Sequence, residues 1–526
     1  MAQAHQSCGP VRTVRRRRIC GPARALLAML LTALVAGGAV PYASGPGRAY
    51  LSYLVLAERP DGVGAARAGA ESRAAGGQVV QEYPQIGAVL AYATGGFAGR
   101  VRSRPGIAAV GATRTAPVVG PPRAVEGAGD FTAGSEGSSS DGRRTGAERR
   151  GLDGGGARDS AAWLRAADGQ DGATPTVPDP AEAGAWNLAM LGPASGRTGD
   201  AAAGAPSAEA MRKVLVAVLD SGVDDTHPDL RAAVDPKASA SCADGRPDAR
   251  SGSWRPDPGM GESGHGTHVA GIIGAARDGH GVIGVAPGVR IAAVRLLGPL
   301  GQYYAENIVC GVLWAADHGA KAINNSYFAD PWKYNCPEDQ DQAALIEAVG
   351  RAVGYAQRRG AVVVASAGND GQDLGTGRTD GRSPNDRVSG PAPTRYLGTE
   401  CIRLPGELPG VVTVSAVNRD GRPSSYSNYG RGRVSLAAPG GDPDAGAQGA
   451  VVSDWPGGQY AALAGTSMAA AHASGAVAVA AALHPELGAD GLVELLAASA
   501  AGACPVGPRA CGDRQYLGAG VLALPR

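Results

Sequence analysis

The sequence predicts an α/β fold in which a doubly wound, mostly parallel sheet is flanked by helices and preceded by a small α+β module. Short apolar runs, typical of strands buried on both faces, occur at 214–219, 291–296, 322–325, 361–365 and 411–416. Helix-like segments alternate with them at 267–276, 305–318, 342–359 and 467–483. Ligand sites in such sheets gather at the carboxyl ends of strands, so residues that follow these runs are the first candidates for function.

The first 44 residues have the layout of a secretory signal peptide. A basic block of Arg12, Arg15–Arg18 and Arg24 precedes an apolar run over 25–40, and small residues surround Ala43. The run is short for a helix that spans a membrane, which needs about 20 residues. We therefore expect export and no stable membrane span in the mature protein, with a retained signal anchor as the alternative.

The sequence predicts that residues 45–115 form the small α+β module and that residues 116–184 form a linker. Strands are expected at 49–56 and 107–110, a helix up to residue 75, and strand-like alternation within 78–101. An unrelated, partly disordered spacer is the alternative for the module. Because residues 116–184 are dominated by Gly, Ser, Arg, Asp and Pro, they bury too little apolar surface to offset chain entropy and should be flexible. The large α/β domain then covers 185–526.

Charge and cysteine content narrow the class of protein. The net charge of the 526 residues is +1, which gives no sign of a nucleic-acid partner. Six cysteines lie beyond the signal segment, and an even number in an exported chain predicts disulfides. These disulfide candidates are Cys242, Cys310, Cys336, Cys401, Cys504 and Cys511. The connectivity stays open, and Cys504 with Cys511 is the first pair to test because the short loop between them is rich in Pro and Gly.

Three motifs supply the parts of an activated serine nucleophile. Asp220 ends the first apolar run, His265 begins the segment HGTH, and Ser467 lies in GTSM before an alanine-rich helix. Asp220 would orient the imidazole, His265 would act as general base, and Ser467 would attack. The alternatives are a turn aspartate and an N-cap serine. Rival acids close in sequence are Asp224, Asp225 and Asp229.

The sequence around these residues resembles the subtilisin family of secreted serine peptidases, the S8-type subtilases. The matching stretches are VAVLDSGVDDTHPDL around Asp220, GHGTHVAGIIGA around His265, ASAGND around Asn369 and AGTSMAAAH around Ser467, in the family order Asp, His, Ser. The resemblance runs from about Trp186 to the end of the chain. It implies a subtilisin-like fold and serine-type endopeptidase activity that requires no cofactor.

The resemblance also implies roles for residues beside the three reacting groups. The Asn369 side-chain amide and the Ser467 backbone N–H would form the oxyanion hole, whereas His268 would have a packing role. An ordinary Asn-Asp-Gly turn is the alternative for Asn369. A cleft wall that pairs with extended substrate would comprise Asn325, Ser326, Tyr327 and Phe328.

Two departures from the family pattern limit what carries over. The wall reads NNSYF, where many subtilases have a small Ser-Leu-Gly type sequence, so the pocket preference cannot be transferred. After Ser467, Ala469-Ala470-Ala471-His472 replaces the common Ala-Ser-Pro-His and lacks the proline. We expect the helix to start there nonetheless, because alanine is a strong helix former.

Asp229 and Asp278 resemble side-chain ligands of a subtilase calcium site. Oxygen ligands suit Ca²⁺, and the ion would be structural. Two solvated surface carboxylates are the alternative.

The sequence therefore predicts a secreted, monomeric serine endopeptidase that acts on proteins or peptides. The module over 45–115 resembles the inhibitory propeptide of subtilases, so the chain's own module would be an intramolecular inhibitor. Two alternatives stay open: a dedicated processing peptidase for an exported peptide, and a catalytically silent binding or scaffold protein.

Overall fold

The computed structural model describes residues 50–117, 179–192, 205–259, 264–298, 301–386, 392–502 and 513–525. The predicted signal peptide, most of the predicted linker and both Cys504 and Cys511 lie outside these residues.

The N-terminal module is a four-stranded antiparallel sheet with two helices. Its elements are β1 (Leu51–Ala57), α1 (Gly62–Ala74), β2 (Gln78–Tyr83), β3 (Ala88–Ala93), α2 (Phe97–Arg102) and β4 (Ile107–Ala112). The strand order is β2-β3-β1-β4, the split β-α-β arrangement in which β3 lies between β1 and β2. Helix α2 was not predicted, because its two buried residues, Phe97 and Val101, lie in a stretch that reads as alternating strand.

The large domain is built on a seven-stranded parallel sheet. Its strands are β5 (Leu215–Asp220), β6 (Ala240–Ser241), β7 (Arg290–Arg295), β8 (Ala322–Asn325), β9 (Val362–Ser366), β12 (Val412–Val417) and β13 (Leu436–Pro439). The order β13-β12-β9-β8-β5-β7-β6 places later strands on both sides of β5. Hairpins join β10 (Arg378–Asp380) to β11 (Arg395–Leu397) and β14 (Val451–Trp455) to β15 (Gln459–Leu463). The predicted doubly wound, mostly parallel sheet is confirmed.

Helices cover both faces of this sheet. They are α3 (Trp186–Leu191), α4 (Ala208–Lys213), α5 (His265–Gly274), α6 (Ala305–Asp317), α7 (Gln340–Arg358), α8 (Thr466–Leu483), α9 (Ala489–Gly502) and α10 (Arg514–Leu517). Helices α5 and α8 share one hydrophobic core, whereas α6 and α7 share another.

Helix α8 is buried around its whole circumference, as expected for a helix in the centre of a core. Among the described residues it is the one helix long and apolar enough to cross a membrane, but 89% of it is buried inside the protein. A packed core accounts for its composition.

Among the described residues, two disulfides brace the large domain. Cys242 after β6 is bonded to Cys310 in α6, and Cys336 is bonded to Cys401. The disulfide prediction is thus confirmed for four of the six cysteines. Each bond closes a loop of more than sixty residues, with sequence separations of 68 and 65, so each restricts the unfolded chain considerably.

The N-terminal module packs on the outer side of α6 and α7. Leu54, Leu56 and Leu90 from its sheet belong to the same buried cluster as Ile308 of α6 and Val349 of α7. Polar contacts fix the orientation: Tyr83 Oη donates to Gly245 O at 2.6 Å, and Arg351 Nη1 donates to Ala57 O at 2.8 Å and Ile86 O at 3.1 Å. The module and the large domain therefore share a core.

Residues 179–184, which the sequence assigned to the linker, contact the loop before β7. Ala181 N donates to Gly281 O at 3.2 Å, and the Asp179 carboxylate accepts from Gly279 N at 2.6 Å. Residues 179–184 are therefore ordered against the large domain, at least six residues before the predicted boundary at 185. Hydrogen bonds to the loop before β7 hold them there, although their composition resembles that of a loop.

Candidate active site

The acid, Asp220, is the last residue of β5 and is only 1% exposed. Its Oδ1 accepts hydrogen bonds from Ser221 N at 2.7 Å and Tyr303 Oη at 3.4 Å, and it lies 2.8 Å from His265 Nδ1. Because the carboxylate accepts, a neutral His265 carries its proton on Nδ1 and its basic lone pair on Nε2. That is the tautomer required for a general base.

His265 is the first residue of α5, and close backbone approach sets its position. Gly266 N donates to Ser221 Oγ at 3.0 Å, which ties the helix start to the end of β5. A side chain at residue 266 would collide with Gly222 O, and one at residue 264 would come within 2.5 Å of the Trp455 ring. The two glycines beside His265 are therefore required by packing. The imidazole is 24% exposed, so it faces the solvent side of the site.

The rival acids are engaged elsewhere. Asp224 Oδ1 accepts from Thr226 N at 3.0 Å, and Asp225 Oδ2 accepts from Trp254 Nε1 at 3.1 Å while its Oδ1 pairs with Arg255. Of the four neighbouring aspartates, Asp220 is the one that the described contacts pair with His265.

The second histidine of the motif, His268, is fully buried. Its Nε2 lies 3.0 Å from Ala461 O and 3.2 Å from Val451 O, in the β14–β15 hairpin. Both partners are carbonyl oxygens, so Nε2 carries the proton. Burial lowers the pKa of His268 to about 3, with the neighbouring His265 adding to the shift. A neutral ring that joins α5 to the hairpin fits the packing role.

Ser467 is the second residue of α8, and Gly465 occupies the N-cap position. The N-cap alternative for Ser467 therefore does not apply. Ser467 Oγ donates to Ser326 O at 3.3 Å, and Ser326 Oγ donates to Ser467 O at 3.2 Å. This reciprocal pair ties the start of α8 to the end of β8, beside the predicted cleft wall. The helix continues to Leu483 without the proline, as predicted.

Asn369 is exposed and follows β9, with its amide orientation fixed by Thr466. Asn369 Oδ1 accepts from Thr466 N at 2.9 Å and from Thr466 Oγ1 at 2.7 Å. Since a backbone N–H can only donate, the amide oxygen must face Thr466, and Nδ2 must point the other way. A side chain at Gly465 would lie 3.4 Å from that Nδ2, so the free end of the amide lies beside the residues that precede Ser467.

Replacing Asn369 with leucine, which has a similar shape and no amide, is expected to lower kcat by about 100- to 1,000-fold with little change in KM. The reason is that the amide would donate to the oxyanion of the transition state and not to the ground-state substrate. Steady-state hydrolysis of one fluorogenic peptide measures both constants. Thr466→Ser, which keeps both donors to Asn369, is the matched control. A kcat within threefold of the parent would contradict the role.

The predicted cleft wall has two kinds of residue. Asn325 is fully buried, and its Nδ2 donates to Ile323 O and Val364 O at 3.0 Å each. Its side chain therefore holds β8 in the sheet and is not available to substrate. Tyr327 is also buried and stacks on Tyr303 with ring centroids 4.9 Å apart, whereas Phe328 is half-buried.

Asp229, the first predicted calcium ligand, is buried and only partly satisfied. Its Oδ2 accepts from Val282 N at 3.1 Å and Tyr460 Oη at 3.0 Å. Its Oδ1 is buried with no hydrogen-bond partner. A buried carboxylate oxygen without a donor costs free energy unless a cation or proton satisfies it.

Asp278 and Asp179 lie at the loop beside Asp229. Asp278 is 31% exposed and accepts from His280 N at 3.2 Å. Asp179 Oδ2 is buried without a partner. Burial raises the pKa of Asp179 to about 6, and Asp278 and Asp229 add to the shift. Negative charge thus accumulates around this loop.

A buried acid and a histidine lie behind Asp229. His227 Nε2 donates to Gln459 O at 3.0 Å, and Nδ1 accepts from Asp229 N at 3.3 Å, with Asp454 Oδ1 lying 3.8 Å from Nδ1. Asp454 is fully buried, and burial raises its pKa well above the usual range, with Asp229 adding to the shift. Burial also raises the pKa of Asp229, so both acids are shifted toward the protonated form.

Sequence reasoning missed three residues that position the site. Thr466 orients Asn369, Tyr303 contacts Asp220, and Trp455 packs at the start of α5. The GTSM motif could have pointed to Thr466, because its hydroxyl is next in sequence to the proposed nucleophile and can bond to nearby polar groups. Tyr303 and Trp455 come from distant parts of the chain and carry no local signal.

Comparisons with known proteins agree with this geometry. The sequence profile of the Subtilase family matches residues 211–518. Fervidolysin from Fervidobacterium pennivorans is 32% identical over 285 residues, covering 51% of this chain and 34% of fervidolysin. Subtilisin BL from Lederbergia lenta is 33% identical over 266 residues, covering 51% of this chain and 75% of its own length.

Solved structures extend the similarity beyond the large domain. The epidermin leader peptide processing serine protease from Staphylococcus aureus superposes with a TM-score of 0.61 at 19% identity, covering 90% of this chain and 97% of that protein. The crystal structure of fervidolysin superposes with a TM-score of 0.56 at 22% identity, covering 91% of this chain and 61% of fervidolysin. At these identities the likeness shows a shared fold.

Proposed function

Because the chain belongs to the subtilase family of serine peptidases, we propose that it is an endopeptidase that hydrolyses peptide bonds through an acyl-enzyme on Ser467. The 2.8 Å contact between Asp220 and His265 Nδ1 carries the proposal, since it gives the imidazole the tautomer of a general base. Ser467, at the start of α8 and tied to the end of β8, supplies the hydroxyl.

In the acylation step, His265 Nε2 takes the proton of Ser467 Oγ as Oγ attacks the carbonyl carbon of the substrate. The Asp220 carboxylate stabilises the imidazolium that forms. Negative charge on the carbonyl oxygen is met by Asn369 Nδ2 and the Ser467 backbone N–H, which lies in the first turn of α8, where N–H groups have no intrahelical acceptor.

The tetrahedral intermediate then breaks its C–N bond, and the imidazolium gives its proton to the leaving amine. Water enters, gives a proton to His265 and attacks the ester carbon. The ester C–O bond breaks, and Ser467 Oγ regains its proton from His265, so atoms and charge balance over the cycle.

A cleavage profile tests the proposed function. The purified, processed protein is incubated with a peptide library, and the products are identified by mass spectrometry. We expect cuts at internal peptide bonds that a serine-directed inhibitor abolishes. Intact peptides after incubation with folded, processed protein would overturn the proposal.

A dedicated processing peptidase is the second candidate. The observation that favours it is the half-buried Phe328 ring of the cleft wall, which the Arg403 guanidinium approaches to 5.0 Å. Such a wall suits a narrow set of side chains. In the same peptide library, cuts confined to one short sequence pattern would favour this candidate, and many unrelated cuts would favour a general endopeptidase.

We also propose that the protein is made as a secreted zymogen with its N-terminal module as intramolecular inhibitor. The shared core between the module and α6–α7 supports a tight complex. The first residue of the mature secreted protein is expected between about 116 and 190, in the predicted linker or just after it. A mature N-terminus directly after the signal segment, found by N-terminal sequencing, would remove the inhibitor proposal.

A structural calcium ion at Asp229 and Asp278 belongs to the same proposal. The unpartnered Oδ1 of Asp229 fits an oxygen-ligated cation, as does the unpartnered Oδ2 of Asp179, whose other oxygen accepts from Gly279 N next to Asp278. Catalysis itself needs no metal. The ion would neutralise carboxylates that otherwise repel one another.

Chelation of calcium is expected to lower the melting temperature of the Ser467→Ala protein, which cannot digest itself. An ion present at 100 times its Kd contributes about 2.7 kcal/mol to the free energy of unfolding. Calorimetry with and without excess calcium measures the difference. It should shrink in Asp278→Asn and persist in Asp420→Asn, an exposed turn residue far along the chain. Equal melting temperatures with and without calcium would contradict the site.

A further inference from the structure

The chain that leaves the N-terminal module crosses the large domain next to the candidate active site. After β4, Thr113 N donates to Ser52 O at 2.9 Å, which keeps this segment on the module. The next residues then contact the large domain, where the Asp386 carboxylate accepts from Thr115 N at 2.7 Å and from Ala116 N at 3.2 Å. The backbone of this segment is thus bound by side chains of the large domain.

Arg114 lies in a pocket formed by Glu306 and Tyr304 at the start of α6. Its Nε donates to Glu306 Oε1 at 2.8 Å, its Nη2 is 2.8 Å from the same oxygen, and its guanidinium carbon lies 4.1 Å above the centre of the Tyr304 ring. The Arg114 side chain is only 13% exposed. A carboxylate below and an aromatic face beside a planar cation are the two features that recognise arginine.

Glu306 depends on the module for its hydrogen bonds. Its side chain is fully buried, Oε1 accepts from Arg114 and from Ser52 Oγ at 3.3 Å, and Oε2 has no partner. Among the described residues, both donors belong to the N-terminal module. If processing removes the module, this carboxylate loses every direct partner that the structure gives it. A desolvated carboxylate without a partner is costly, so a new guanidinium would bind favourably there.

The pocket adjoins the groups proposed to carry out the reaction. Tyr304 follows Tyr303, whose hydroxyl is 3.4 Å from Asp220 Oδ1 and whose ring stacks on Tyr327 of the cleft wall. Tyr304 also forms a parallel β-bridge with Asp330, just beyond that wall. A substrate lying along the wall would therefore pass the pocket.

We propose that Glu306 and Tyr304 form a substrate subsite that selects an arginine side chain at one position on the amino side of the scissile bond, a place that Arg114 occupies before processing. The substrate class is a peptide with a basic residue at a fixed distance from the cut. The inference rests on the proposed peptidase function and on removal of the module. Glu306 is a specificity-determining residue and takes no part in bond cleavage.

The test uses the processed protein obtained from the full chain and a series of peptides derived from one good substrate. Arginine is placed in turn at each position before the cut and compared with citrulline, which has nearly the same shape and no charge. We expect kcat/KM for the arginine peptide to exceed that for the citrulline peptide by at least about 30-fold at one position. A ratio of this size is typical of the loss of one hydrogen-bonded charge pair. Ratios near one at every position would overturn the inference, with no variant needed.

Two variants assign the preference to its carboxylate. Glu306→Gln is expected to remove the arginine preference while citrulline peptides are cleaved as before. Asp341→Asn is the matched control, because Asp341 also joins the module to the large domain, through Arg102 at 2.8 Å, and makes no described contact with Tyr303 or Tyr304. It should keep the preference. An unchanged ratio of arginine to citrulline cleavage in Glu306→Gln would overturn the subsite. Absence of all cleavage by the folded, processed parent protein would overturn the proposed function itself.

Discussion

Replacing Ser467 with alanine is expected to lower kcat by about a million-fold, to a level supported only by binding and the oxyanion donors. The substitution removes the oxygen that would form the ester and leaves the fold intact, because alanine suits the interior of α8. Active-site titration and hydrolysis of a fluorogenic peptide measure the loss, and calorimetry confirms folding.

The matched control for that substitution is Ser499→Ala. Ser499 lies in α9, where its Oγ donates to Leu495 O at 2.9 Å within the same helix. Its removal should leave kcat unchanged. If Ser467→Ala kept more than a hundredth of the parent activity in a preparation free of parent enzyme, another nucleophile would have to be sought.

Replacing Asp220 with asparagine is expected to lower kcat by about 10⁴-fold at neutral pH. An asparagine amide can donate to the imidazole, which stabilises the tautomer with the proton on Nε2 and removes the basic lone pair that faces the substrate. The carboxylate that stabilises the imidazolium is lost as well. KM should change little, because Asp220 is buried and would not touch substrate.

The neighbouring acid provides a control for Asp220. Asp225→Asn changes a carboxylate that pairs with Arg255 and Trp254 at the surface of the same motif. Its kcat should stay within about threefold of the parent, since the described contacts of Asp225 are with Arg255 and Trp254 and not with His265 or Ser467. Equal losses in both variants would indicate a general effect on folding, and the role of Asp220 would be withdrawn.

The central strands of the large domain could be predicted from sequence to within one residue. They are buried on both faces, so their apolar runs are continuous and have sharp ends, as at Asp220, the last residue of β5. Strand β6 could not be predicted, because two residues carry no periodicity. Helix α9 is also absent from the prediction, although its pattern covers 14 residues.

For the candidate site, motifs pointed to the proposed reacting groups but not to the residues that support them. The position of Asp220, His265 and Asn369 follows from strand and helix ends, which are local features. The contact of Tyr303 with Asp220 and the orientation of Asn369 by Thr466 depend on how α6 and α8 pack on the sheet. Asn325 is the clearest example. The strand that contains it was predicted correctly, but the sequence did not indicate that its side chain bonds inside the sheet.

The most direct test of the central claim is covalent labelling of the processed protein with a fluorophosphonate probe, followed by intact mass measurement and peptide mapping. We predict a single adduct on the peptide that contains Ser467, absent from the Ser467→Ala protein. A folded, processed protein that never labels, or one that labels on a different serine, would contradict the account and favour a binding or scaffold role.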